Sequence, residues 1–381
     1  MENTINLKPT NKLSSILIFL CRIFVGVIFC YSGFVKAVDP TGLSYKIGDY
    51  FIYVFNMPWM VDYTMPMAII LPALELTAGI MLIFHLRVKI AAWILLFLMI
   101  VFTPITFYIA FYDAVQDCGC FGDAIKLTNW QTFWKDVILL ALAIFIFTTR
   151  KRLENPLSDN VERAIAVVFF CLVIGFEHFT LRHLPIIDYR PYKIGNYIPE
   201  LMEFPPDAPR EVIEHIFIMK NTETGEEKEF TMDNYPEAPW TFVDRKDKVI
   251  EKGYIPPIHD FTMIVPGDET NYDYAPMILE EEKPIYFVVM HKLEKADEDG
   301  LLMLKDIENY AKRKGCNVAA LTSSNLDAIN QIKDKYQTSI QFFNSDDITL
   351  KTIVRANPGI FLLEKGTIKD KWNYRDFNMD N

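Results

Sequence analysis

The chain has 381 residues, 29 of them Phe, a formal net charge of −11 and a mean hydropathy of +0.13. That average is too apolar for an ordinary soluble enzyme, and the acidic balance argues against nucleic-acid binding, which needs a basic surface. The apolar residues are concentrated before residue 185.

A helix that crosses a bilayer takes roughly 20 mainly apolar residues. Five stretches qualify: residues 13–35, 66–85, 88–112, 132–149 and 161–183. The expected architecture is a membrane all-α helical bundle over residues 13–183, a four-helix core plus a fifth transmembrane helix, in contact with membrane lipid. A polar cytoplasmic tail, residues 1–12, precedes it. The first span follows Lys8 and Lys12 as a signal peptide would, but its length and the internal Arg22 argue against cleavage. Lys and Arg accumulate in cytoplasmic loops, and here they alternate: Lys8 and Lys12, then Arg87 and Lys89, then Arg150, Lys151, Arg152 and Arg163. This predicts a cytoplasmic N-terminus in a bacterial inner membrane. The loop 36–65, the loop at Cys118 and everything after Pro185 are then periplasmic. Trp59, Trp130 and Trp134 mark the outer interface and Trp93 the inner one.

Arg22 and Glu75 read as the deepest charges, each nine residues from the cytoplasmic end of its span, or about 13 to 14 Å at 1.5 Å per residue. An isolated charge in hydrocarbon costs several kcal/mol. Equal depth on antiparallel neighbours therefore predicts an Arg22–Glu75 ion pair, with proton or quinone handling as one alternative and two charges that do not meet as the other. In the first outer loop, residues 45–55 form an amphipathic stretch expected to lie along the interface.

The turn Asp117-Cys118-Gly119-Cys120-Phe121-Gly122-Asp123 carries two cysteines one residue apart. In an extended chain they stand about 7 Å apart, at the upper limit of Cα spacing for a disulfide. Gly119 permits the bend that closes the bond, and a small strained ring is an oxidising, labile one. The flanking Asp117 and Asp123 disfavour a thiolate. Three readings stay open: a redox couple, a structural disulfide pinning the loop, and a metal site. The last is the weakest, because no His is near in sequence and two thiolates do not complete a tetrahedral zinc site. Cys21, Cys171 and Cys316 read as small buried hydrophobes, while Cys30, near the outer end of the first span, is placed to approach the loop.

Residues 184–257 read as a periplasmic β-rich connector, with a hairpin of 213–220 and 228–232 around Asn221-Thr222-Glu223-Thr224-Gly225. Residues 258–381 alternate: strand 285–290, helix 299–314 ended by Gly315, strand 317–321, helix 325–336, strand 340–343, helix 348–354, strand 360–363 and return strand 367–372. That order resembles the thioredoxin fold. The resemblance implies a redox Cys pair just after the strand ending at Met290, where this chain has Lys292-Leu293-Glu294-Lys295-Ala296, and it matches Pro358 to the family's cis-proline. The expectation is a soluble α/β thioredoxin-like domain without the thiols, a binding surface for a periplasmic protein partner. Beyond Pro185 the chain has 24 Lys plus Arg against 36 Asp plus Glu, a net charge of −12 that should repel nucleic acid and anionic lipid.

Arg22-Ile23-Phe24-Val25-Gly26, Tyr31-Ser32-Gly33-Phe34-Val35-Lys36, Asp39-Pro40, residues 75–79 and the Cys118-Gly119-Cys120-Phe121-Gly122-Asp123 turn together resemble the DoxX and MauE membrane proteins over residues 13–150. The resemblance implies a four-helix membrane core, thiol, disulfide or quinone chemistry, and a part in protein maturation. It implies Cys118 and Cys120 as the redox pair and Arg22, Lys36 and Glu75 as bundle residues. Two functions follow. In one, Cys118 and Cys120 exchange with a partner's thiols, with a membrane quinone as candidate electron acceptor. In the other, the bundle is a non-enzymatic scaffold that presents the soluble domain. Transport is disfavoured, since the spans show no repeated pair of broken helices.

Overall fold

The structure is a computed structural model and describes residues 12–115, 119–153, 156–210, 212–251 and 253–379. Helix α1 (Lys12–Val38) runs 27 residues and stays helical through Lys36 and Val38, three residues past the expected end. It stops at Asp39, whose carboxylate accepts the Gly42 N–H and caps α2 (Pro40–Asp49), with Pro40 in the first turn. A wide turn at Tyr50–Val54 and a 3-10 turn at Pro58–Tyr63 lead into α3 (Thr64–Ile83). Then come α4 (Val88–Tyr112), α5 (Asn129–Thr149) and α6 (Asp159–Arg182). α5 starts at Asn129 rather than 132 because Thr128 and Gln131 form a reciprocal capping box. Among the described residues five helices are long and apolar enough to cross a membrane, and the protein is a membrane protein with lipid-facing side chains such as Leu17, Phe97 and Leu172.

The relation between α1 and α3 is fixed by glycine. A Cβ at Gly33 would lie 2.6 Å from the Leu76 backbone nitrogen, and one at Gly79 would lie 2.8 Å from that of Cys30. Small residues at such crossings let two backbones approach closely, which in a membrane is the main source of helix association. Gly33 thus faces Leu76, Cys30 faces Gly79 and Gly26 faces Ile83. The same offset brings Glu75 to the level of Phe34 and Lys36. Val25, Phe29, Leu82, Leu95, Met99 and Leu139 fill the bundle core around this pair.

After α6, the short α7 (Ile198–Met202) precedes an antiparallel sheet, β1 (Val212–Asn221), β2 (Glu227–Thr231) and β3 (Trp240–Glu251), ordered β2-β1-β3. The expected hairpin is present, and β3 joins it as a third strand. The C-terminal region comprises α8 (Ala275–Glu280), β4 (Ile285–Val289), α9 (Glu298–Leu302), α10 (Leu304–Arg313), β5 (Asn317–Thr322), α11 (Leu326–Tyr336), β6 (Gln341–Asn344), α12 (Asp347–Ile353), β7 (Gly359–Glu364) and β8 (Thr367–Asn373). The helix expected over 299–314 is two helices, broken at Met303.

The mixed sheet is ordered β6-β5-β4-β7-β8, with β4, β5 and β6 parallel and β7 and β8 antiparallel. Every residue of the central β4 is buried, as a strand covered on both faces must be. Side chains alternate between the faces: Phe287 and Val289 join Leu350, Ile353 and Phe361 on one side, while Tyr286 and Val288 join Leu304, Ile307 and Phe342 on the other. The β8 edge is covered by the chain after α6, where Gly195 and Ile198 donate to Ile368 and Gly366. The Asn357–Pro358 bond is cis.

Candidate functional site at the cysteine-bearing end of the bundle

The close α1–α3 crossing brings Ser32, Lys36 and Glu75 together. Lys36 Nζ lies 2.7 and 2.9 Å from the two Glu75 carboxylate oxygens, with the two residues only 7% and 1% exposed. This corrects the expected Arg22–Glu75 pair. Arg22 lies fourteen residues before Lys36 on α1, about 21 Å away along the axis at 1.5 Å per residue. Its Nε and Nη1 have no hydrogen-bond partner among the described residues. Depth from the ends of the apolar runs does not fix how the two helices align; the close glycine contacts do.

The Ser32 hydroxyl lies 2.9 Å from both Glu75 Oε2 and the carbonyl oxygen of Cys120, so it ties the cysteine turn to the buried pair. From α5, Lys135 pairs with Asp136 at 2.9 Å and lines one small cavity with Cys120, where its charge acts on the thiol. Thr106 on α4 donates to Asp136 at 3.1 Å. Phe121 closes the site, with the Lys135 ammonium 4.8 Å from its ring centre and Tyr31 packed against it. A cavity of about 30 Å³ among Ser32, Lys36, Glu75, Cys120 and Asp136 has room for about one water. Burial pushes the Cys120 thiol up, and Lys135 works against that rise. The arrangement leaves Cys120 a neutral thiol, with Lys135 offsetting part of the cost of a thiolate and an adjacent carboxylate, Asp136, placed to take its proton.

Above this cluster the bundle meets the C-terminal region. Arg355, just beyond α12, donates from Nε to Asp39 at 2.8 Å and reaches Asp123 at 3.5 Å. Its guanidinium and the Lys351 ammonium both lie over the Tyr45 ring of α2. Burial alone would raise the Asp39 carboxyl, but Arg355 and Arg190 outweigh it and hold it below the ordinary carboxylate range. Arg190 and Lys371 share Asp188 at 2.8 Å each.

Residues 14–149 match the family of the methylamine utilisation protein MauE. The MauE match runs from α1 through α5 and bears out the resemblance read from Arg22–Pro40 and the cysteine turn. It contains Ser32, Lys36, Glu75, Cys120, Lys135 and Asp136, while α6 and the C-terminal region lie beyond it. A second match, to a domain of unknown function (DUF8463), covers residues 213–252, the three-stranded sheet. Neither the curated proteins nor the solved structures give a match.

Of the site residues expected from sequence, Cys120, Gly119, Lys36 and Glu75 converge in or beside the MauE-matching cluster. Gly119 takes a positive φ of 57° and packs on the Lys46 side chain. Asp123 turns to Arg355, and Arg22 lies apart. Cys118 and Asp117 are outside the described residues. Cys30 is half-buried, with its thiol 3.9 Å from the Leu76 carbonyl across the α1–α3 crossing. Sequence reasoning missed Lys135, Asp136 and Thr106. Charges one turn or two inside an apolar run that begins with tryptophans were the available signal. It also missed Glu177, a fully buried carboxylate on α6 whose oxygens have no partner among the described residues.

Proposed function

We propose that the protein is a membrane redox component whose Cys118 and Cys120 cycle between dithiol and disulfide during the maturation of envelope proteins. The observation that carries this reading is that Cys120 lines one small cavity with Lys135, Asp136 and the buried Lys36–Glu75 pair, so that a cation offsets part of the cost of a thiolate there. In the oxidising direction a partner thiolate attacks the loop disulfide, forming a mixed disulfide and releasing one loop thiolate. A second partner thiolate then displaces the other, leaving the partner oxidised and the loop reduced. Two electrons and two protons passed to a quinone would regenerate the disulfide and yield quinol. The reading includes the sidedness given by the basic loops, with the N-terminus cytoplasmic and the cysteine turn and C-terminal region periplasmic in a bacterial inner membrane. The test is acid quenching of growing cells followed by alkylation and mass analysis of the turn. A mixture of redox states that shifts on quinone depletion supports the reading, and a pair that stays oxidised and resists reductant defeats it.

The contact from Arg355 to Asp39 and Asp123 favours a second reading, in which the bundle is a scaffold for its C-terminal region. The parallel β4, β5 and β6 with antiparallel β7 and β8 are what a thioredoxin-like domain over 258–381 would need, and Lys292–Ala296 supply no thiol in place of its Cys pair. On this reading residues 184–257 connect bundle to domain, and a double Cys118→Ser/Cys120→Ser variant keeps full function. Deletion of the chain after Tyr189 abolishes it.

A further inference from the structure

A cleft of about 490 Å³ opens where four segments meet: the end of α2, the cysteine turn, residues 189–196 and α12. Its volume falls within the range of small-ligand sites. Its charge is opposite to that of the acidic region beside it. The lining carries Lys46, Lys126, Arg190, Lys193, Lys351 and Arg355 against two carboxylates, Asp49 and Asp123.

The guanidinium groups are part of the built structure: Arg190 is 4% exposed and the Arg355 side chain 9%. Both are partly neutralised by Asp188 and Asp39, and Lys351 by Asp347. Lys126 and Lys193 stand exposed at the rim with no acidic partner among the described residues. The potential registers on a neighbour, since burial and then the Arg190 charge bring the Lys371 ammonium down to about 8. Tyr45 and His259 add polar groups to the wall.

From this geometry we infer that the cleft binds a phosphate-bearing ligand of net negative charge. Its cations converge from four separate segments rather than as one planar fork, which suits a tetrahedral anion with acceptors on every side better than a flat carboxylate. The cleft sits at the end of the bundle, beside α2 and the cysteine turn, the level at which phospholipid headgroups lie. A headgroup phosphate and a soluble phosphate are the two sources of that chemistry. This inference is independent of whether the cysteines cycle.

Full-length protein, purified and stripped of lipid in neutral detergent, is titrated with phosphatidylglycerol, with phosphatidylcholine and with inorganic phosphate, following the thermal unfolding midpoint. A saturable rise with phosphatidylglycerol alone assigns a headgroup, and a rise with inorganic phosphate assigns the phosphate itself. In either case Lys126→Glu/Lys193→Glu should weaken the response about tenfold or more, while Lys126→Arg/Lys193→Arg keeps it. Because both side chains are exposed and have no acidic partner among the described residues, the Glu variant should melt where the wild type does when no ligand is added. The inference is overturned if neither anionic probe stabilises the protein more than phosphatidylcholine, or if the Glu variant responds as the wild type does.

Discussion

Replacing Lys36 by Met tests the polar centre of the bundle most directly. Glu75 is 1% exposed and receives Lys36 at 2.7 and 2.9 Å and Ser32 at 2.9 Å. At 2.7 Å and an effective dielectric near 20 the attraction between the charges is about 6 kcal/mol. Much of it offsets desolvation, so the pair adds little net stability over an apolar replacement. Removing Lys36 alone is different, because it leaves the Glu75 carboxylate buried beside one hydroxyl. The expected loss is about 3–5 kcal/mol. Lys36→Met/Glu75→Leu should recover most of it, giving a coupling energy above about 2 kcal/mol. Arg22→Met supplies the contrast. Two of its guanidinium nitrogens are buried without partners among the described residues, so its removal should be neutral or stabilising. The assay is equilibrium unfolding in mixed micelles, followed by tryptophan fluorescence. A cost below about 1 kcal/mol for Lys36→Met, or coupling of Glu75 to Arg22 instead, would refute the packing argument.

Gly33→Ala should separate α1 from α3, since its Cβ would meet the Leu76 backbone at 2.6 Å; a loss of about 1–3 kcal/mol is expected in the same unfolding assay. Arg355→Ala strands Asp39 and should release the C-terminal region from the bundle, read as faster limited proteolysis between α6 and α7. Lys135→Met removes the cation at Cys120 and should slow iodoacetamide alkylation of that thiol at pH 8 by about tenfold. His291, at the end of β4, is brought by burial from 6.5 to about 4, against the pull of Asp347. The unfolded chain therefore takes up this proton first, and stability is lost as pH falls from 6.5 to 4, by up to about 3 kcal/mol. Hydrogen exchange of the β4 amides should show that loss, and His291→Gln should flatten it.

The elements most legible in the sequence were those whose patterning is set by one dominant environment. Twenty apolar residues in lipid, or five in the middle of a covered sheet such as Ile285–Val289, leave little choice of element. β3 was missed because Asp244-Arg245-Lys246-Asp247 looks like a loop, and its sheet is exposed enough to tolerate those charges. The site was legible only in part, since charges were located by depth along their own helices. Depth is one coordinate of three. Gly26, Gly33 and Gly79 carry the missing information, for they determine which residues of α1 and α3 face each other. The resulting offset gives Glu75 to Lys36, a residue the sequence had assigned to the span's outer edge. Lys135 and Asp136 enter the site for a related reason: the capping box starts α5 three residues early, so both are inside the helix rather than at its mouth.

The electrostatics of the cysteine turn are likewise set by residues distant in sequence. Read locally, Asp123 opposes a thiolate by its charge. In the fold that carboxylate faces Arg355, contributed from 232 residues further along the chain, and it is absent from the leading influences on Cys120, which are burial, Lys135, Asp136, Lys36 and Glu75. The thiol is thus governed by solvent exclusion and by cations on α1 and α5. Since the C-terminal region supplies Arg355, any motion that withdraws α12 from Asp39 and Asp123 returns an unbalanced carboxylate to the turn and opens its outer side to water. These two changes act on the thiol in opposite directions, since the carboxylate disfavours the thiolate and hydration favours it. Comparing Cys120 alkylation in Arg355→Ala and Arg355→Ala/Asp123→Asn separates them: faster reaction in the double variant than in the single one isolates the carboxylate's contribution, and equal rates leave hydration in control.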